Sequence, residues 1–190
     1  MLSDKMKITV HPERLEKFSQ QHIDFYSKYA SFVLKTLKRP SFQKFLSWML
    51  RKENIQEHMV RDVQVRVLPL KRKNGNGLAG NCDTNKGTIQ IYPRTRKFCA
   101  RLRREFGKDG LLSYVRIRAR AALIHELLHL KYGKDEQKVR EATKEYTTIF
   151  TRNRLSHNSA LLNLYSIVFT PQTTMNTHTC RTNSGSLTSA

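Results

Sequence analysis

Cysteines are few in this sequence and poorly placed for disulfides. There are three, Cys82, Cys99 and Cys180, an odd number with no CxxC pair. This pattern argues against a disulfide framework and favours a reducing, intracellular setting.

Long apolar runs are also missing. No stretch approaches the roughly 18 apolar residues that cross a bilayer, and residues 1–10 carry charge without an apolar core. We therefore expect a cytoplasmic protein with neither a membrane span nor a secretory signal. The few glycines between positions 75 and 80 match neither GxGxxG nor a phosphate-binding loop.

Acidic residues are scarce. The chain has 35 Lys and Arg against 15 Asp and Glu, a formal charge of +20. Such a field attracts polyanions, so nucleic acid is a possible partner. The densest basic segment contains Arg94, Arg96, Lys97, Arg101, Arg103 and Arg104. Two interpretations stay open for it: a surface that follows a phosphate backbone, or a solvated helical face. Arg116, Arg118 and Arg120 follow on the approach to the motif helix and would extend the phosphate-binding surface.

Apolar periodicity predicts an α+β fold, with N-terminal helices and a small sheet before a helical hairpin. Gly133 is placed to end the first helix of that hairpin. The predicted helices span 12–37, 41–53, 94–106, 111–132 and 135–150; the predicted strands span 62–70 and 87–92, joined by a loop or hairpin over 71–86.

The chain is long enough for one compact domain. We assign residues 1–155 to that domain and 156–190 to a C-terminal extension. The Ser/Thr/Asn-rich composition predicts disorder from about residue 171.

The chemistry-bearing segment is His125-Glu126-Leu127-Leu128-His129, inside an otherwise apolar helix. Residues four apart share one helix face, so both imidazoles can hold one tetrahedral Zn²⁺ at about 2.0–2.1 Å. Glu126 can take a proton from a zinc-activated water and return it to the leaving amine of a peptide bond. The motif therefore predicts one Zn²⁺ per chain and a peptidase with Glu126 as general base.

A catalytic zinc needs a third protein ligand. Candidates follow the turn at Gly133, where a hairpin returns the chain toward the histidines. Glu136 lies near the apolar stripe of the second helix and ranks first, Glu141 second and Asp135 third. Glu145 lies at the opposite edge of the stripe.

These residues resemble the gluzincin family. Gluzincins carry HExxH on an active-site helix and a glutamate ligand on a following helix, often within an ExxA-type stretch. Glu136-Gln137-Lys138-Val139 is similar to that stretch, with Val in place of Ala. The resemblance implies a zincin-like fold and a zinc endopeptidase acting on a protein or peptide, with Glu126 as base and Glu136 as third ligand.

Two related groups compete with this assignment. SprT-like and WLM proteases share HELxH and act on DNA-bound proteins, but they place a third histidine after the turn, where this chain has Asp135. ImmA-like proteases share HExxH with a longer intervening loop. A basic nucleic-acid-binding protein with a structural or inactive motif is the alternative from another class.

Two further sets of residues could belong to the same site. Tyr132, and less so Tyr146, are candidates for stabilising an oxyanion. His178 and Cys180 in the tail are candidate ligands that would block the metal.

Overall fold

A computed structural model describes residues 6–11, 13, 15–70, 79–155 and 159–169, and its architecture is α+β as expected. The side chains of 153–155 and 159–161 are left undescribed. In chain order the elements are β1 (Lys7–Val10), α1 (Gln20–Leu37), α2 (Pro40–Lys52), a 3-10 turn (Glu57–Met59), β2 (Asp62–Val65), β3 (Gly80–Asp83), β4 (Thr88–Ile91), α3 (Arg96–Tyr132), α4 (Glu136–Leu155) and α5 (Ser159–Phe169).

The strands form one mixed sheet in the order β1-β2-β4-β3. β1, β2 and β4 are parallel, and β3 pairs antiparallel to β4. The register aligns a buried row across all four strands: Ile8, Val63, Ile89 and Cys82. This apolar row fixes the register, because a one-residue slip would turn each side chain to the opposite face.

α3 is the central element of the described structure. From Ile117 to His129 every residue is buried, since α1, α4, α5, β3 and β4 all contact this helix. A helix covered on all sides requires apolar or small residues all round, which explains the run of Ala and Leu around the motif. Gly107 interrupts the helical backbone with φ of 71°, where the sequence predicts a break.

The first predicted helix begins later than expected, at Gln20 rather than residue 12. Glu13 accepts hydrogen bonds from Arg66 (2.6 Å) and from the backbone of Leu68 (2.8 Å), which ties the preceding segment to the sheet. Ser19 then adopts an extended N-cap conformation. Pro12 lies outside the described residues.

Two strands were not predicted. β1 lies in a segment to which no element was assigned, and β3 lies inside the predicted 71–86 connection. β2 ends at Val65, before the predicted limit of 70, whereas β4 lies within the predicted 87–92 strand.

The apolar segment after Leu161 forms much of α5, which packs on α3 and contributes Leu164 and Val168 to the core. Part of the predicted extension therefore belongs to the folded body. Residues 71–78, His157 and the tail with His178 and Cys180 lie outside the described residues. Among the helices described, none is long and apolar enough to cross a membrane.

Candidate metal centre

The HExxH motif lies in the most buried part of α3. His125 and Glu126 are each 1% exposed and His129 is 7% exposed. Burying ionisable groups without compensation costs several kcal/mol, so their place in the core calls for specific partners.

Glu136 meets both histidines. His125 Nε2 and His129 Nε2 are 3.2 Å apart, and the Glu136 carboxylate lies 3.7 Å from the first and 3.5 Å from the second. Two ligands on one tetrahedral Zn²⁺, each at about 2.0–2.1 Å, are about 3.3–3.4 Å apart. The spacing of the three side chains, and their two-imidazole, one-carboxylate chemistry, could therefore hold a metal ion.

Hydrogen bonds on the far side of each ring define its tautomer. His129 Nδ1–H donates to the carbonyl of Gly133 (2.6 Å). Thr143 donates its hydroxyl proton to the carbonyl of Val139 (2.6 Å), so its oxygen accepts from His125 Nδ1–H at 3.3 Å. Both Nε2 atoms consequently point toward Glu136, where each can carry a proton or bind a cation. Partners of this kind orient metal-binding histidines.

The electrostatics of His129 agree with a cation site. Burial lowers the pKa of His129, but the contacts with Glu136 and with the Gly133 carbonyl outweigh burial and raise it. Three electron-rich groups thus favour positive charge at their centre, either as a proton or as a metal ion.

The turn at Gly133 positions Glu136. Gly133 has φ of 58°, a conformation that favours glycine, and α4 then packs along α3. Arg140, one turn further along α4, donates to Glu136 Oε1 at 2.9 Å and fixes the carboxylate. The other two candidate ligands lie elsewhere: Asp135 caps α4 by accepting from the backbone of Lys138, and exposed Glu141 accepts from Gln137.

The general-base candidate Glu126 lies beneath the sheet edge. Gly80, the first residue of β3, approaches it so closely that a Cβ at position 80 would be 2.7 Å from Glu126 Oε1. Since β3 is the outermost strand on this side of the described sheet, Glu126 faces an edge rather than the sheet centre.

The two tyrosines considered as oxyanion stabilisers both donate to Glu53. Tyr132 does so at 2.6 Å and Tyr146 by a shorter contact, and Lys131 adds an ion pair at 2.8 Å. Burial opposes ionisation of Glu53, but these three donors outweigh it and hold its pKa at about 2. Both tyrosine hydroxyls therefore hydrogen-bond Glu53, at the C-terminal end of α2, and connect α2 to the α3–α4 hairpin.

The basic residues divide into two groups. Lys97, Arg101, Arg103 and Arg104 are exposed, and Arg94 and Arg96 are half-buried. Arg118 and Arg120 are instead buried, which corrects their assignment to a surface. Arg118 donates to the carbonyl of Tyr92 (2.6 Å), and Arg120 lies over the rings of Phe42 and Phe150.

Sequence reasoning missed four contributors to this site: Thr143, Arg140, the carbonyl of Gly133, and Gly80. The sequence does contain a signal for Thr143, because Thr143 lies seven residues after Glu136 and hence on the same helix face. It contains no signal for Gly80, since the role of Gly80 depends on a contact between segments that are distant in sequence.

Comparisons with protein-family models, curated proteins and solved structures gave no match to this chain. The resemblance to gluzincins therefore rests on the motif residues and their spacing.

Proposed function

We propose that the chain is a zinc-dependent peptidase with His125, His129 and Glu136 as metal ligands and Glu126 as general base. The observation that carries the proposal is the convergence of two imidazoles and one carboxylate at ligand spacing, with the buried carboxylate of Glu126 close enough to act electrostatically on His129. Bound Zn²⁺ would act as a Lewis acid and lower the pKa of water.

The chain's own residues account for the remaining chemistry. The Glu126 carboxylate accepts a proton from the attacking water as the water oxygen bonds to the peptide carbonyl carbon. The C–N bond then breaks, and Glu126 returns the proton to the leaving amine. Thr143, Gly133 and Arg140 hold the ligands in one orientation throughout.

The edge of β3 supports a peptide as substrate. An extended chain that pairs with a sheet edge is held by main-chain hydrogen bonds, whatever its sequence. Because Gly80 of β3 contacts Glu126, a peptide paired along this edge would lie next to the strand that covers the buried general base.

The test is zinc content after dialysis, measured for the wild type and for His129→Ala, Glu136→Ala and Glu141→Ala. We expect one zinc per chain, lost in the first two variants and kept in Glu141→Ala, the matched control on the same helix. Glu126→Gln should keep zinc and lose cleavage of an unstructured protein such as casein. A wild type that takes up no zinc on refolding would overturn the proposal.

Nucleic-acid binding is a second candidate, and a specific observation favours it. Lys97, Arg101, Arg103 and Arg104 are exposed on the first segment of α3 with no acidic residue between positions 94 and 104. Binding of single-stranded DNA should weaken steeply with salt and survive Glu126→Gln. A fourfold Lys/Arg→Gln variant that binds as tightly as wild type would exclude this surface.

A further inference from the structure

A groove lies between β1 and α2. Its volume is about 960 Å³, at the upper end of the range for ligand-binding sites. It is lined by Met6, Lys7, Ile8, Thr9, Lys38, Pro40, Gln43, Lys44, Ser47 and Arg51. Because β1 and β3 are the two outermost strands of the described sheet, the groove and the candidate metal centre lie at opposite edges.

The first wall is β1, whose outer edge pairs with no other strand of the described sheet. Lys7 N–H donates to Arg61, and His11 N–H donates to Val65, which continues the pairing with β2 at both ends of β1. In a parallel ladder, residues alternate between bonding one neighbour and facing the other side. The N–H and C=O groups of Ile8 and Val10 therefore point away from β2, toward the open edge.

The second wall is one cationic face of α2 together with Lys38, which lies two residues before the helix. Gln43, Ser47 and Arg51 recur at four-residue spacing, with Lys44 beside them. With Lys7 and Lys38, the described part of the lining has four cationic side chains and no acidic one. Its charge is complementary to an acidic ligand.

Ser47 also belongs to this wall. It is 7% exposed, and its hydroxyl oxygen is shielded from solvent and makes no hydrogen bond within the described part of the chain. A buried hydroxyl without a partner costs about 1–3 kcal/mol, so Ser47 lowers the stability of α2 and does not present its oxygen to a ligand in the groove.

We propose that this groove binds an extended acidic peptide segment of a partner protein, which pairs with β1 while its carboxylates meet Lys38, Lys44 and Arg51. Edge pairing favours a polypeptide. Among the described residues, the lining contains no aromatic side chain on which bases would stack, which disfavours nucleic acid. Residues 170–190 contain no Asp or Glu, which disfavours the chain's own tail.

The test is fluorescence anisotropy with a labelled peptide of about ten residues, in which Glu alternates with Val and Thr. A Lys-for-Glu version controls for charge, and a version N-methylated at alternate residues controls for main-chain pairing. Three full-length proteins are compared: the wild type, the groove variant Lys44→Glu/Arg51→Glu, and the control variant Lys108→Glu/Lys144→Glu. The two variants change the net charge by the same amount. Lys108 and Lys144 are exposed and do not line the groove.

We expect the groove variant to bind the acidic peptide at least about tenfold more weakly and the control variant to bind within about twofold of wild type. N-methylation should weaken binding to a similar degree. Glu126→Gln and metal-stripped protein should bind normally, so this inference stands or falls separately from the peptidase proposal. Equal weakening in both charge variants, or no effect of N-methylation, would overturn it.

Discussion

The Glu126 side chain of α3 occupies the space that a side chain at Gly80 of β3 would fill. A Cβ at position 80 would lie 2.7 Å from Oε1 and 2.8 Å from Cγ of Glu126. Contacts this short force a side chain to move, so the absence of a side chain on Gly80 determines where the Glu126 carboxylate lies.

Gly80→Ala should therefore destabilise the protein by about 1–3 kcal/mol through overpacking. The same substitution in a Glu126→Ala background should cost less than about 0.5 kcal/mol, because the three clashing atoms are gone. Urea denaturation of the four proteins in this cycle measures the coupling. Equal costs in both backgrounds would show that the two residues are not in contact.

Thr143 should control metal affinity through His125. Thr143→Val removes the oxygen that accepts from His125 Nδ1–H and should weaken zinc binding about 10–100-fold, as for other partners of metal-bound histidines. Competition with a chromophoric chelator gives the dissociation constant.

Thr147→Val is the matched control. Thr147 is equally buried and also donates to the carbonyl four residues before it, yet it lies one turn further along α4. Its zinc affinity should equal that of wild type. If both valine variants lose affinity equally, the effect comes from the helix rather than from the ring of His125.

The elements predicted most accurately from sequence carry their own local signals. The second segment of α3 follows from a run of good helix formers ended by Gly133, and α4 begins at the predicted turn. His125, His129 and Glu136 meet because helical spacing and a short hairpin leave little freedom for their relative positions.

Elements that depend on distant partners were missed or shortened. β1 and β3 have four residues each, and β3, with the sequence Gly-Asn-Cys-Asp, has little strand propensity of its own. β3 exists because Ile89 and Ile91 of β4 lie opposite it. The positions of Arg118 and Arg120 also depend on distant partners. Their charge predicts exposure, but they are buried because Tyr92, Phe42 and Phe150 contact them.

Glu53 should make stability depend on pH in the acid range. Its pKa is about 2 in the fold and about 4.3 in an unfolded chain. A group whose pKa is lowered on folding stabilises the protein above the unfolded value and loses that contribution as pH falls toward the folded value. The expected contribution at neutral pH is on the order of 3 kcal/mol.

Glu53→Gln isolates this contribution, because the other carboxylates titrate alike in both proteins. In metal-free samples, the difference in unfolding free energy between wild type and Glu53→Gln should be largest above pH of about 5 and shrink toward pH 2. A difference that stays constant over this range would rule out Glu53 as its source.

Ser47 should be a position where removing a side-chain hydroxyl stabilises the fold. Ser47→Ala removes a buried hydroxyl that makes no hydrogen bond in the described part of the chain, so unfolding should cost about 1 kcal/mol more than in wild type. Ser31→Ala, at an exposed mid-helix serine of α1, measures the gain in helix propensity alone, which is about 0.5 kcal/mol. The gain at Ser47, measured by urea denaturation, should exceed this control. A loss of stability in Ser47→Ala would mean that the hydroxyl contributes to the fold.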